Sequence, residues 1–93
     1  KIRVFPLFPF DSDLNFELFL IELLPGCEHL SPPHDTGVIE HVIVVEGIME
    51  VLVGNQWQVL QCGEGLRFAA NQPHGYRNTQ KSLARIHDII HYP

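Results

Sequence analysis

The stretch HVIVVEGIMEVLVGNQWQVLQ, residues 41 to 61, decides the fold class. It holds a β-branched run closed by Gly47, an apolar run from Ile48 to Val53, and a third run from Gln56 to Gln61. The two-residue Gly54-Asn55 loop between the last two runs is typical of a β-hairpin. The stretch therefore predicts three consecutive strands, the last two joined as a hairpin.

Short apolar runs and turn signals continue on both sides of this stretch. Phe16 to Leu24 predicts a buried strand, and periodicity alone leaves a helix open as the alternative. Further strands are predicted at Leu66–Ala69, Gly75–Asn78 and Leu83–His91. Turn signals at such regular intervals are typical of a β-sandwich or barrel, so the predicted class is all-β.

Size and charge restrict the function. Ninety-three residues make one domain, and the net charge is -5, with six Lys and Arg against eleven Asp and Glu. Binding to nucleic acid or to an anionic membrane depends on basic residues, so we expect neither from this segment. No apolar run approaches the ~20 residues of a membrane helix. Cys27 and Cys62 are read as free thiols, as expected in the cytoplasm.

Two features of the sequence indicate that the domain contacts other protein parts, either of a longer chain or of a second copy. The chain starts at Lys1 rather than Met, so we expect it to be a part of a longer protein, with residues 1–15 packing on the barrel or linking to another domain. Val42 to Val45 is apolar on both strand faces, which predicts a homodimer. The alternative is that Phe5, Phe8 and Phe10 cover the second face.

His34, Glu40 and His74 are the candidate metal ligands. His34 and Glu40 are six residues apart, so in an extended chain both side chains point to one face. His74 follows Pro73 and can approach from across the barrel. Two imidazoles and a carboxylate form a facial triad that binds iron, zinc, manganese or nickel and leaves positions open for a ligand.

The same residues lie in segments that resemble the two cupin motifs. His34 to Gly47 resembles the first motif, in which six residues separate Glu40 from Gly47. Gly63 to Asn78 resembles the second motif, with His74 near its end. The order of the motifs and the hairpin between them match as well. The resemblance implies a single cupin jelly-roll β-barrel over residues 16–93, with Thr36 standing where a second His is usual.

A closer resemblance is to the C-terminal cupin domains of helix-turn-helix (XRE-type) transcriptional regulators. It is carried by His34, Gly37 and Glu40, by FPFD at residues 8–11 and by EGLRFAANQPHGYRN at residues 64–78. It implies a sensor that binds a small polar or chelating ligand, such as an amino acid. DNA would then be bound by a helix-turn-helix domain outside this chain. The alternatives are a small metal-dependent enzyme, a dioxygenase or isomerase, and a barrel that only dimerises.

Four further residues are candidate ligand contacts: Thr36, Arg67, Tyr76 and His87. Arg67 can pair both oxygens of a carboxylate, with a surface salt bridge as its alternative. Tyr76 can form a pocket wall, and His87 can be a fourth ligand or a hydrogen-bonding partner. The alternative for His87 is that the opposite face of the last strand, with Asp88, points inward.

Overall fold

The computed structural model describes residues 1–93 and contains nine β-strands and no helix. The strands are β1 (Ile2–Asp11), β2 (Phe16–Leu23), β3 (Glu28–Ser31), β4 (Ile39–Glu46), β5 (Ile48–Val53), β6 (Gln56–Gln61), β7 (Gly65–Ala69), β8 (His74–Arg77) and β9 (Ala84–His91). The predicted all-β class is confirmed, and the segment that begins at Phe16 is a strand rather than a helix.

Two antiparallel sheets face each other as a jelly-roll barrel. One has five strands in the order β1-β2-β9-β4-β7, and the other has four in the order β3-β8-β5-β6. The inner faces supply one cluster of fifteen buried hydrophobic residues. Leu23, Val42, Met49, Val51 and Ile86 are among the least exposed of these side chains. β4 and β5 are consecutive in the chain but belong to different sheets, so the chain crosses between the sheets at Gly47.

Two strands, β1 and β3, were not predicted from the sequence. β1 contains Pro6 and Pro9 and pairs only with β2, with register shifts where the chain bulges. Prolines of this kind are tolerated at a sheet edge, where ladder hydrogen bonds are not needed on one side. β3 has only four residues, with Leu30 as its one large apolar side chain, and pairs with β8.

β4 alternates between the two environments of a barrel wall. Val42 and Val44 are buried, whereas Ile43 and Val45 are exposed on the outer face. β2 and β9 lie between β1 and β4 in the sheet. The phenylalanines of β1 therefore do not cover this face, and they are themselves exposed.

Cys27 is buried and Cys62 is exposed, and neither forms a disulfide. The structure contains no helix with the length and hydropathy needed to cross a membrane.

Candidate metal centre

Glu40 is the carboxylate at the centre of the site. It is the second residue of β4, where it pairs with Phe68 of β7 and Ile90 of β9, and it is 1% exposed. It shares the inner face with Val42 and Val44, as the two-residue period of a strand requires. A carboxylate this deep in a barrel needs compensating partners, because removing a charge from water costs several kcal/mol.

His74 supplies the first compensation. It begins β8 in the opposite sheet, is as deeply buried as Glu40, and places Nε2 3.0 Å from Glu40 Oε2. Its Nδ1 lies 2.9 Å from the backbone carbonyl oxygen of Gln72. An Nδ1–H donated to that carbonyl fixes the ring orientation and directs Nε2 into the site, as is common for histidine ligands of metals.

His34 reaches the site by a route that differs from the prediction. The chain is not extended between His34 and Glu40, because residues 32–38 form a loop with a turn at Thr36 and Gly37, where Gly37 has φ 96. The alternation argument for a shared face was therefore wrong. The backbone N–H of His34 donates to the carbonyl of Ala70, and this bond holds the loop so that Nε2 lies 3.5 Å from Glu40 Oε2.

The three donor atoms have the spacing of a metal site. One ligand atom from each of His34, Glu40 and His74 lies within 4.8 Å of the others. Bonds of about 2.1 Å to one cation place two ligand atoms roughly 3.0 Å apart at a right angle and roughly 3.4 Å apart at a tetrahedral angle. The measured separations from Glu40, 3.0 and 3.5 Å, match this range. The donor set and its geometry therefore fit a divalent cation.

Tyr76 and Asp88 form a second layer behind Glu40. The Tyr76 hydroxyl donates to Glu40 Oε1 and lies 3.4 Å from Asp88 Oδ2. Burial raises the pKa of Tyr76, and the charges of Asp88 and Glu40 raise it further, so the phenol stays a donor. Burial together with the charge of Glu40 raises the pKa of Asp88 well above its usual value, so this carboxyl favours its neutral form.

The ionisation of the ligands themselves follows from the same contacts. Burial raises the pKa of Glu40, but hydrogen bonds from His74 and Tyr76, together with the neighbouring Asp88 carboxyl, outweigh it and leave the pKa below its usual value. Burial lowers the pKa of His74, but the hydrogen bond to Glu40 raises it overall. Without a cation, a proton on His74 therefore balances the Glu40 charge, and a bound metal would displace that proton.

The site opens into a cavity of about 180 Å³. Its polar end is formed by the three donor residues with Tyr76 and Asp88, and its other walls are mostly apolar. The apolar wall consists of Ile2, Val4, Phe19, Ile21 and Ile90. His29 and Ser31 of β3 complete the lining, and the His29 ring stacks on Tyr76 with 6.5 Å between ring centroids.

The structure brings only one of the four predicted ligand contacts to the cavity. Tyr76 lines it, whereas Thr36, Arg67 and His87 do not. Thr36 is exposed in the turn that carries His34. Arg67 and His87 alternate with the inward residues of β7 and β9, so both lie on the outer face of the five-stranded sheet. Arg67 forms no salt bridge there.

Asp88 and the β1 wall were not among the predicted site residues. β9 presents Ala84, Ile86, Asp88 and Ile90 to the interior, so one acid interrupts an otherwise apolar face. That interruption is the signal that could have identified Asp88. Ile2 and Val4 carried no such signal, because the role of β1 as a strand was itself not predicted.

Comparison with known proteins agrees with this geometry. A family described as "Cupin domain" matches residues 19–90. This chain belongs to the cupin family. The cupin domain is 48% identical over 87 residues to the HTH-type transcriptional regulator SutR of Escherichia coli strain K12. The match covers 94% of this chain and 49% of the regulator.

Two solved structures are also similar to the cupin domain. One is the Cupin_2 domain of an XRE family transcriptional regulator from Enterobacter cloacae, with TM-score 0.96, 44% identity, and coverage of 99% of this chain and 97% of that chain. The other is an HTH_3 family transcriptional regulator from Vibrio cholerae, with TM-score 0.94, 42% identity, and coverage of 99% and 51%. The cupin domain thus spans about half the length of SutR and of the Vibrio regulator. Its predicted relation to regulator cupin domains is confirmed.

Proposed function

We propose that this cupin domain is the sensor of a transcriptional regulator and binds a small chelating ligand at a divalent metal held by His34, Glu40 and His74. DNA would be bound by a separate part of the full-length protein. The observation that carries the proposal is the convergence of three donor atoms within 4.8 Å at the polar end of a cavity. The domain that contains this site is 48% identical to part of an HTH-type regulator.

The charges around the cavity indicate the class of ligand. A divalent cation would supply positive charge and open coordination positions there. Glu40 cancels one of its two charges, Asp88 favours its neutral form, and no Lys or Arg lines the cavity. The site would then carry about one net positive charge, which favours a singly charged anion such as a carboxylate. The predicted carboxylate partner Arg67 has no part in this arrangement.

The size and walls of the cavity restrict the class of ligand further. The cavity volume of about 180 Å³ is below the ~300–1,000 Å³ of typical small-molecule pockets. Apart from the polar residues named above, the lining is apolar and includes Ile2, Val4 and Phe19. These features support a small amino acid or related acid with a chelating head and a short apolar side chain.

Metal binding is tested by titrating chelator-treated protein with zinc, manganese, nickel and anaerobic iron(II), followed by calorimetry and elemental analysis. We expect one ion per chain, and we expect His74→Ala to lose it. The matched control is His41→Ala, because His41 is adjacent to Glu40 in β4 but points to the outer face. Equal metal content in both variants would contradict the proposed ligand set.

The sensing step is tested on metal-loaded protein with a panel of amino acids and small carboxylic acids. Thermal shift identifies those that bind, and DNA binding by the full-length regulator is then measured with and without them. A ligand must stabilise one arrangement more than the other to change DNA binding. A compound that binds but is consumed, with a new product, would instead indicate the enzymatic alternative.

A further inference from the structure

We infer that Asp88 determines the specificity of the cavity, by accepting a hydrogen bond from an amino or hydroxyl group on the carbon next to the ligand's carboxylate. This inference rests on the proposed function, because it takes the carboxylate itself to be bound at the metal. It restricts the ligand to 2-amino and 2-hydroxy acids, and it excludes 2-oxo acids and unsubstituted acids of the same size.

Asp88 and Glu40 are the two carboxyl groups in the cavity lining, and Asp88 has an oxygen without a partner. The residue is 3% exposed, and its Oδ1 is buried and receives no hydrogen bond. Its Oδ2 lies 3.4 Å from the Tyr76 hydroxyl. A buried acceptor without a partner has lost the hydrogen bond that water gives it in the unfolded chain. A ligand group that donates to Oδ1 would restore that bond.

Oδ1 accepts a hydrogen bond whether or not Asp88 carries a proton. The oxygen nearest another polar atom is Oδ2, which faces the Tyr76 hydroxyl. A proton on Asp88 is therefore held best on Oδ2, where the Tyr76 oxygen can accept it, and Oδ1 is then a carbonyl oxygen. An ionised carboxylate has acceptors only. In both states the ligand must therefore supply the donor.

Strand register places Asp88 beside the metal ligands. Glu40 pairs with Ile90, and Val42, the next inward residue of β4, pairs with Asp88. Glu40 and Asp88 are thus diagonal neighbours on the inner face of one sheet, a relation that puts their Cβ atoms roughly 7 Å apart. Both carboxyl groups also approach the Tyr76 hydroxyl. A ligand that binds the metal through its carboxylate would therefore hold the adjacent carbon and its substituent close to Asp88.

The other polar groups of the lining are less selective than Asp88. Ser31 is half-buried and His29 is exposed, so water can satisfy both side chains when no ligand is bound. The remaining polar residues are the three metal ligands and Tyr76, whose hydroxyl already donates to Glu40. A site that pairs with a ligand hydroxyl or amine strongly rejects an analogue without that group, because its own polar atom stays unpaired. Asp88 therefore discriminates between acids of equal size.

Four three-carbon acids test the inference: L-alanine, L-lactate, pyruvate and propionate. They share the carboxylate and the carbon skeleton, and they differ on the second carbon, which carries an amine, a hydroxyl, a ketone oxygen or only hydrogen. Calorimetry measures their binding to the chain after it is loaded with zinc and freed of excess metal. We expect L-alanine or L-lactate to bind at least ~10-fold more tightly than pyruvate, the effect of one unpaired buried acceptor. Chelation alone would not give this order, because pyruvate offers the metal two oxygens just as lactate does.

Substitutions at Asp88 connect the preference to this side chain. Asp88→Ala should bring the affinities for lactate and pyruvate together. Asp88→Asn introduces an amide N–H that can donate to the ketone oxygen, so it should raise the affinity for pyruvate relative to lactate, and it decides the test if Asp88→Ala fails to fold. The matched control is Asp13→Asn, the same change at an exposed position between β1 and β2, which should keep the wild-type order. Every variant should hold as much zinc as the wild type.

The outcomes separate this inference from the proposed function. Pyruvate that binds as tightly as both donor-bearing acids, or a preference that persists without change in Asp88→Ala and Asp88→Asn, would overturn the inference and leave the metal site in place. Zinc lost from a folded Asp88 variant would also overturn it, because Asp88 would then belong to the metal centre. A wild-type chain that binds no zinc, or binds zinc but none of the four acids, would overturn the proposed function and the inference with it.

Discussion

Asp88 is a buried acid whose Oδ1 has no hydrogen-bond partner. Its pKa is raised by burial and by the Glu40 charge, so the folded chain keeps a proton that the unfolded chain releases above the usual pKa of 3.8. Its contribution to stability is therefore greatest at low pH and is lost as the pH rises toward the folded pKa, at up to ~1.4 kcal/mol per pH unit. The acid at this position thus destabilises the metal-free domain near neutral pH.

We expect Asp88→Asn to raise the unfolding free energy of the metal-free domain by about 1–3 kcal/mol near neutral pH. The amide is uncharged at every pH, so it removes the cost of ionising a buried acid. The gain should shrink toward about pH 4, where both unfolded and folded Asp88 bind the proton. Urea unfolding at several pH values in chelator measures both effects. A variant less stable than wild type at neutral pH, or a gain independent of pH, would contradict this account.

Tyr76 contacts the proposed metal ligands through Glu40. Its hydroxyl holds Oε1, which leaves Oε2 directed at both histidines. We expect Tyr76→Phe to weaken metal binding about 10-fold, the lower end of the range for residues that orient a ligand. Competition with a fluorescent chelator measures the affinity, and circular dichroism checks the fold. Unchanged affinity in a folded variant would show that burial alone holds Glu40 in place.

At the scale of elements, Gly47 determines how β4 passes into β5 and so from one sheet to the other. Its φ is +79, and a Cβ there would lie 2.5 Å from the carbonyl oxygen of Leu83. Gly63 has a similar φ of +88 and no atom within 4 Å of the Cβ position. Any other residue at either position would therefore have an unfavourable backbone conformation. Only at Gly47 would its Cβ also collide with a neighbouring backbone atom.

We expect Gly63→Ala to cost about 1–2 kcal/mol, the penalty of a left-handed conformation. Gly47→Ala should cost about 1–3 kcal/mol more, because the backbone of Leu83 must move. Urea unfolding of the two variants separates the contributions. Equal losses would mean that the β4–β5 crossing relaxes without cost, and the steric argument would fail.

Elements with clear apolar runs were predictable, and those without were not. The strands from β4 to β7 follow the hairpin and turn signals closely. β1 owes its place to antiparallel pairing with β2, the next strand in the chain, and its Pro-interrupted sequence gives no strand signal of its own. The path of the loop at His34 was not predictable either, because a turn at Gly37 and a hydrogen bond to Ala70 position the ring. The resemblance to the cupin motifs identified His34 as a site residue although the strand argument was wrong.

At the scale of the whole molecule, the candidate metal centre joins parts that are otherwise separate. Glu40 lies in the five-stranded sheet, His74 in the four-stranded sheet and His34 in a loop. All three donors meet only in the folded chain, so a cation that binds there stabilises the folded state alone. Binding at a hundred times the dissociation constant adds about 2.7 kcal/mol.

For a domain of this size we therefore expect a saturating metal to raise Tm by roughly 10–20 °C, since 1 kcal/mol shifts Tm by about 4–8 °C. Differential scanning calorimetry with and without chelator measures the shift. His41→Ala should keep it, because His41 faces away from the cavity, and His74→Ala should lose it. A shift of the same size in His74→Ala would mean that the cation binds elsewhere, because that variant lacks the one donor from the four-stranded sheet.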